Sequence, residues 1–176
     1  MSANESTMKE KASERIRLSE IRLFATDVDG VLTDAGMYYS ESGDEWKKFN
    51  TRDGMGIKLL QKAGYVTAIV TQERTKIVAR RAEKLAIQEL HQGVMDKLTV
   101  IREMAGRHGL SLSQVAYIGD DVNDLAALSA VGFSAAPADG MPIVCDAVHY
   151  VCRKKGGEGA VREIAEMLLS AREDRA

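Results

Sequence analysis

Residues 21–30 read IRLFATDVDG, an apolar run that ends abruptly in two aspartates and a glycine. The run at 21–26 has the length and apolar character of a buried strand. Asp27 and Asp29 follow it directly, and residues two apart in an extended chain point to the same side. The segment therefore predicts a buried strand that delivers two carboxylates to one crevice.

Strand and helix patterns alternate along the rest of the chain. Apolar runs at 65–70, 115–118, 132–135 and 147–151 predict strands, and stretches at 53–63, 75–85, 96–108, 123–130 and 159–170 predict helices. Such alternation is typical of parallel strands joined by crossover helices. We therefore expect an α/β fold, a doubly wound, Rossmann-like parallel sheet with helices on both faces. Strands at 37–40 and 45–49, around a turn-like segment, predict a β-hairpin inserted after the first strand.

Length and charge limit the classes of protein that fit. The 176 residues suit one domain, which we place at 21–170 between a flexible or helical lead-in at 1–20 and a tail at 171–176. The net charge of -2 gives no general attraction to nucleic acid or an anionic membrane. No apolar stretch approaches the roughly 20 residues of a membrane span, and the first residues lack a signal-peptide core. We expect a cytoplasmic protein with no nucleic-acid or membrane partner.

Several predicted strands end in side chains that could do chemistry. Asp27 and Asp29 follow the first strand, Thr71 follows a second, and Asp120 and Asp121 follow a third. In an open α/β sheet, ligands bind at these carboxyl ends. Close carboxylates repel each other, and a hard cation such as Mg²⁺ relieves the repulsion. The pattern predicts a magnesium site to which Asp120 adds a third oxygen ligand. Taken alone, each group has a simpler explanation, since Asp-x-Asp-Gly and Thr71 are often caps or turns.

Four segments resemble, in order, the four motifs of the haloacid dehalogenase superfamily. They are residues 27–34 (DVDGVLTD), Thr71, Lys97 and residues 119–124 (GDDVND). Within that superfamily the chain is similar to small phosphatases without a cap domain, which act on eight- and nine-carbon 3-deoxy-2-keto sugar acids. Those proteins share the hairpin, a segment like FNTRDG at 49–54, and a late glycine segment like GGEGAVRE at 156–163.

The resemblance implies a mechanism. Asp27 attacks phosphorus to form an aspartyl-phosphate, and Asp29 acts as general acid and then as general base. Mg²⁺ is held by Asp27, the backbone carbonyl of Asp29, and Asp120. Thr71 and Lys97 hold the phosphoryl oxygens, although Lys97 alone would fit a solvated helix position. The residues expected to orient these groups are Asp121, Asn123 and Asp124.

The implied substrate is a small sugar acid phosphate, and two subfamilies compete. Octulosonate 8-phosphate phosphatases usually have arginine where this chain has Glu73 and Glu158. Those glutamates and Lys84 look like the nonulosonate 9-phosphate type (KDN or sialic acid), which is our main expectation, with the octulosonate type as the alternative. Gln72 departs from the glycine usual in both. The expected substrate contacts are Thr51, Glu73, Arg81, Lys84, Gly157 and Glu158, although Glu73, Arg81 and Lys84 also fit surface pairs on a helix.

Assembly and two rival functions complete these expectations. The resemblance implies a homotetramer in which the hairpin and a neighbour's C-terminal segment help to close the active site. A signalling receiver domain also combines paired acids, a threonine and a lysine, but its phosphorylated aspartate ends a middle strand. A non-catalytic phosphatase-like module that assembles partners is the other rival. Such modules tend to lose the nucleophile or the acid, whereas this chain has both Asp27 and Asp29.

Overall fold

The computed structural model describes residues 18–173, which form a six-stranded parallel sheet, a separate two-stranded hairpin and helices. The strands are β1 Leu23–Thr26, β2 Tyr38–Tyr39, β3 Glu45–Trp46, β4 Val66–Thr71, β5 Glu89–Gln92, β6 Val115–Ile118, β7 Phe133–Ala136 and β8 Tyr150–Val151. The helices are α1 Thr51–Lys62, α2 Lys76–Leu85, α3 Lys97–Arg107, α4 Leu125–Leu128, α5 Pro142–Cys145 and α6 Ala160–Glu173, with 3₁₀ turns at Leu112–Gln114 and Val122–Asp124. The order in the main sheet is β5-β4-β1-β6-β7-β8.

Strand β1 lies at the centre of the sheet, paired in parallel with β4 on one side and β6 on the other. Its side chains alternate between two cores, as the period of a strand requires. Phe24 packs in the core that contains buried residues of α1, α2 and α6, whereas Leu23 and Ala25 pack in the core with α3, α4 and α5. Helices therefore cover both faces, and the predicted doubly wound α/β fold is confirmed.

The predicted insertion after β1 is a short antiparallel hairpin formed by β2 and β3, with Tyr38 opposite Trp46. Its turn is held by Asp44, whose Oδ2 accepts hydrogen bonds from the hydroxyls of Ser40 and Ser42. An isolated bridge between Thr33 and Phe49 ties the base of the insertion to the loop after β1. Within the described range no cap domain is inserted into the fold.

The late glycine segment packs against the loop that follows β1. The N–H of Gly157 donates to the carbonyl oxygen of Val31 at 2.9 Å. A Cβ on Gly156 would lie 1.9 Å from the carbonyl oxygen of Gly30, so only glycine permits this approach. Buried Asp53 of α1 accepts the N–H groups of Gly159 and Arg162 and so satisfies the start of α6. These contacts join the C-terminal part of the chain to the first motif.

Some predicted elements differ from the observed ones. Strand β5 was missed because its sequence, ELHQ, is polar and it lies at the sheet edge, where burial is partial. The helix predicted at 123–130 is a 3₁₀ turn followed by the four residues of α4, since Asp121 and Asp124 form a capping box around Val122–Asp124. The strand predicted at 147–151 is reduced to Tyr150–Val151, and α5 before it was not predicted.

The predicted boundaries at residues 20 and 170 stay predictions, because residues 1–17 and 174–176 lie outside the described range. Within the described range Leu18 packs in the core, and α6 continues through Glu173. Among the described helices, none has the length and apolar character needed to cross a membrane.

Candidate active site

A crevice of about 500 Å³ opens at the carboxyl ends of β1, β4 and β6. This is the edge of a parallel sheet at which ligands are expected. It is lined by residues from four separate stretches of the chain, namely Asp27, Asp29, Ala35, Thr71, Gln72, Glu73, Asp120, Asp121 and Asn123. The fold therefore brings together the residues that the sequence analysis placed at strand ends.

A buried ion cluster forms the floor beside this crevice. Lys97, at the start of α3, is 2% exposed, and its Nζ lies 2.8 Å from Asp27 Oδ2 and 2.6 Å from Asp124 Oδ1. Burial alone would lower the pKa of Lys97, but the charges of both aspartates outweigh it and the pKa is raised. Lys97 is therefore a charged group held against Asp27, and not a solvated helix residue.

Asp124 is the second carboxylate that pairs with Lys97. It is fully buried and also accepts hydrogen bonds from the Tyr117 hydroxyl at 2.5 Å and from the backbone N–H of Asp120 at 3.1 Å. A Cβ on Gly119 would lie 2.4 Å from Asp124 Cγ, so a glycine is needed before the acidic pair. The loop after β6 is thus built around the Asp124 side chain.

The other two residues expected to orient the site make different contacts. Asp121 is exposed, and its Oδ1 accepts the N–H of Val122 at 2.7 Å. Asn123 donates from Nδ2 to Gln72 Oε1 at 3.0 Å, which links the loops after β4 and β6 across the mouth of the crevice. The ion pairs of Lys97 are with Asp27 and Asp124 and not with these two residues, and the sequence did not distinguish them from Asp124 because all three follow the same strand.

Asp27 and Asp120 provide a site suited to a divalent cation. Carboxylate oxygens of Asp27, Asp120 and Asp124 lie within 4.8 Å of one another. Asp27 Oδ1 is buried and has no hydrogen-bond partner among residues 18–173, and an ion would supply one. A Cβ on Gly30 would lie 1.9 Å from Asp120 Oδ2, so glycine leaves room for that carboxylate. Since Lys97 and Tyr117 already occupy Asp124, the two remaining aspartates are the residues that fit Mg²⁺.

The raised pKa values of two aspartates at this site support the same conclusion. Burial, followed by the charge of Asp124, raises the pKa of Asp27 to about 6, although Lys97 opposes the shift. Burial, followed by the charge of Asp27, raises the pKa of Asp120 to about 7. Both carboxylates would ionise more easily beside a cation. The expected contribution of the Asp29 carbonyl to the metal stays a prediction.

Asp29 is held by a lysine that the sequence analysis missed. Lys47 follows β3, and its Nζ donates to Asp29 Oδ1 at 2.6 Å and to Glu73 Oε2 at 2.7 Å. Burial lowers the pKa of Lys47, but hydrogen bonds to the two carboxylates outweigh it and the pKa is raised. In the sequence Lys47 stands beside Lys48, and nothing local marks one of the pair as buried.

Thr71 ends β4, is buried and lines the crevice, as predicted. The predicted substrate contacts divide into two groups. Glu73 lines the crevice, whereas Arg81 donates to the carbonyl oxygen of Asn50 at 3.0 Å, with its guanidinium 5.3 Å from the centre of the Phe49 ring. Residues that do not line the crevice of the single chain are Thr51, Arg81, Lys84, Gly157 and Glu158. Their role in substrate binding stays a prediction.

Comparisons with known proteins agree with this geometry. The family model described as haloacid dehalogenase-like hydrolase matches residues 71–164. The 3-deoxy-D-manno-octulosonate 8-phosphate phosphatase KdsC of Yersinia pestis is 43% identical over 157 residues, covering 89% of this chain and 84% of the relative. The KdsC of Escherichia coli K12 is 39% identical over 155 residues, 88% of this chain and 82% of the relative.

Solved structures of related proteins have the same fold. The Yersinia pestis octulosonate phosphatase has a TM-score of 0.89 at 42% identity, covering 92% of this chain and 87% of that one. The Moraxella catarrhalis octulosonate phosphatase, in complex with a magnesium ion, a phosphate ion and a KDO molecule, has a TM-score of 0.89 at 38% identity, covering 92% of each chain.

Removing one carboxylate tests the metal site. The pKa values of Asp27 and Asp120 lie above the ordinary 3.8, at about 6 and about 7, so protonation favours the folded state. The metal-free protein therefore loses this contribution to stability as the pH rises from about 4 to about 7. We expect saturating Mg²⁺ at pH 8 to raise the melting temperature by about 5 °C, and Asp120→Asn to remove most of that shift.

The control is Asp146→Asn, which makes the same change at an exposed aspartate that does not line the crevice. It should keep the magnesium shift of the unmodified protein. An unchanged shift in Asp120→Asn would show that Mg²⁺ binds elsewhere.

Proposed function

This chain belongs to the haloacid dehalogenase-like hydrolase family, and from that membership we propose that it releases phosphate from 3-deoxy-D-manno-octulosonate 8-phosphate. It is a phosphatase, and its cofactor is Mg²⁺. The observation that carries the proposed substrate is the similarity to octulosonate 8-phosphate phosphatases, 43% and 39% identical to this chain over almost its whole length. The Moraxella catarrhalis relative was solved with KDO, magnesium and phosphate ions together.

In the proposed reaction Asp27 attacks phosphorus and forms an aspartyl-phosphate. The P–O bond to the sugar breaks, and the leaving oxygen takes a proton from Asp29. Water then attacks the aspartyl-phosphate, gives its proton to Asp29, and releases phosphate from Asp27. Dividing the displacement into two steps lets one carboxylate serve as acid and then as base.

The charges around Asp27 suit this role. Lys97 lies 2.8 Å from Asp27 Oδ2 and Thr71 lines the crevice, which supports the proposal that both bind the phosphoryl oxygens, where charge is spread in the transition state. Bound Mg²⁺, for which Asp27 and Asp120 are the fitting ligands, supplies positive charge that offsets repulsion between the carboxylate and the phosphate. A nucleophilic carboxylate must be ionised, and the pKa of Asp27 is raised to about 6. The positive charges of Lys97 and of bound Mg²⁺ both favour its ionised form.

A nine-carbon acid is the second candidate, because of Glu73. This carboxylate lines the crevice, 2.7 Å from Lys47 Nζ, at the position where octulosonate phosphatases usually carry arginine. A carboxylate accepts hydrogen bonds from sugar hydroxyls and repels another carboxylate, so it would change which end of a sugar acid is tolerated nearby. The nonulosonate 9-phosphate expectation is unconfirmed, and the named relatives favour the eight-carbon substrate.

The nucleophile has a direct test. We expect Asp27→Asn to lower kcat by roughly 10³-fold or more, since an amide cannot form the aspartyl-phosphate. The fold should survive, because asparagine has the shape of the aspartate side chain and Lys97 keeps its ion pair with Asp124. Phosphate release and circular dichroism measure the two properties. Appreciable activity in carefully purified protein would remove Asp27 as the nucleophile.

The substrate is tested by measuring phosphate release, with Mg²⁺, from octulosonate 8-phosphate and nonulosonate 9-phosphate side by side. We expect kcat/KM to be at least about tenfold higher for the eight-carbon ester, a difference of about 1.4 kcal/mol in transition-state binding. A preference for the nine-carbon ester would leave the proposed mechanism unchanged and make nonulosonate 9-phosphate the substrate. Release from neither would contradict the proposal.

We also propose that the chain acts as a homotetramer, with the hairpins at the interface. The hairpin exposes a group of large apolar side chains, and such a surface on a compact protein usually marks an interaction site. The exposed fractions are 51% for Met37, 41% for Tyr38, 64% for Tyr39 and 60% for Trp46.

The assembly is tested by light scattering and activity on one double variant, Tyr39→Glu with Trp46→Glu. We expect it to dissociate and to lose at least about tenfold in kcat/KM, because two charges in a packed interface are costly. Lys48→Glu reverses the charge of an exposed residue of the same insertion, which pairs with Asp34 at 3.3 Å, and this variant should stay assembled. A monomer with full activity would refute the proposal.

A further inference from the structure

The residue that follows the β-hairpin, Lys47, places a buried cation against two residues of the crevice, Asp29 and Glu73. The Lys47 side chain is 1% exposed, whereas that of its neighbour Lys48 is 59% exposed. Successive residues of an extended chain point in opposite directions, so one lysine faces inward and the other outward. Lys48 makes only a 3.3 Å contact with Asp34, of the exposed kind that contributes little to stability.

The Lys47 ammonium joins two carboxylates that come from different parts of the sheet. It lies 2.6 Å from Asp29 Oδ1, after β1, and 2.7 Å from Glu73 Oε2, after β4. Glu45 is farther away, at 3.8 Å. Charge-assisted hydrogen bonds of this length are the strong ones, and a buried ammonium needs them. The position of the Lys47 ammonium is therefore set by these two carboxylates and not by solvent.

The hydrogen bond from Lys47 fixes the orientation of the Asp29 side chain. Its other neighbour, the Thr33 hydroxyl, is 3.5 Å from the same oxygen, which is too long to orient it well. Among the described residues no hydrogen bond reaches Asp29 Oδ2, and the side chain is 32% exposed towards the crevice. One oxygen is therefore anchored and the other is left to exchange a proton with substrate or water.

We propose that Lys47 is a positioning residue of the reaction: it holds Asp29 in the orientation needed for proton transfer and ties Glu73 to the same point. This inference rests on the acid–base role proposed for Asp29. Lys47 keeps its own protons throughout, while the proton moves between Asp29 and the leaving oxygen or the attacking water. The hairpin is thereby part of the active site of its own chain, in addition to any part in assembly.

A double-mutant cycle separates this role from a structural one. The variants are Lys47→Met, Asp29→Asn and the combination, assayed for kcat/KM on the better of the two sugar acid phosphates. We expect Lys47→Met to cost about tenfold or more in the unmodified protein, a part of the 10²–10⁴-fold that general acid–base catalysis contributes. In the Asp29→Asn background the same change should cost less than about threefold, because the group that it positions is gone.

Lys48→Met removes a neighbouring charge from the same hairpin and should change kcat/KM by less than about twofold. Equal losses from Lys47→Met in both backgrounds would overturn the inference, since they would indicate a structural or direct substrate role. If Asp29→Asn alone lost no activity, the acid–base role itself would fail, which is a distinguishable result. Lys47→Gln, which keeps a donor of similar reach, takes its place in the cycle if Lys47→Met does not fold.

Leaving-group dependence provides a second readout that holds even if neither sugar ester is hydrolysed. The probes are phenyl phosphate and p-nitrophenyl phosphate, compared by kcat/KM, which reports steps through departure of the phenol. Phenolate needs a proton more than p-nitrophenolate does, so Lys47→Met should lower the ratio of phenyl to p-nitrophenyl rates by about fivefold or more. Asp29→Asn should lower it in the same direction, and an unchanged ratio in Lys47→Met alone would contradict the inference.

Discussion

Parallel pairing of β1 with β4 and β6 is the constraint on which the site depends. It brings the ends of three strands to one edge of the sheet, and so forces several carboxylates together. Burial first, and then the charge of a neighbouring aspartate, raises the pKa of Asp27 to about 6 and that of Asp120 to about 7. The fold offsets this cost of ionisation in part with buried Lys97 and leaves the remainder to a divalent cation.

Close packing around the carboxylates gives the motif glycines a physical meaning. Gly30 makes room for Asp120, and Gly119 makes room for Asp124, so a methyl group at either position would displace an acidic side chain. Gly156 lets the C-terminal segment touch the carbonyl oxygen of Gly30. The late glycine segment therefore packs against the loop that carries the first motif, within the same chain.

The hairpin gives a fold without a cap domain an additional source of active-site groups. One of its faces exposes the cross-strand pair Tyr38 and Trp46, which suits contact with other subunits. On the other side Lys47 lies against Asp29 and Glu73, which line the crevice. In the proposed mechanism one ammonium group therefore links Asp29, which transfers the proton, to Glu73, which faces the substrate.

The sequence alone determined the fold class, the strand-end placement of Asp27, Thr71 and Asp120, and the candidate metal site, because strand periodicity and parallel connectivity are local rules. It missed β5, whose polar residues carry no apolar pattern. Tertiary structure alone decided that Lys47 is buried and Lys48 exposed, that Asp124 pairs with Lys97, and that Arg81 packs on Phe49. Those outcomes depend on contacts between segments far apart in the chain, which no local pattern encodes.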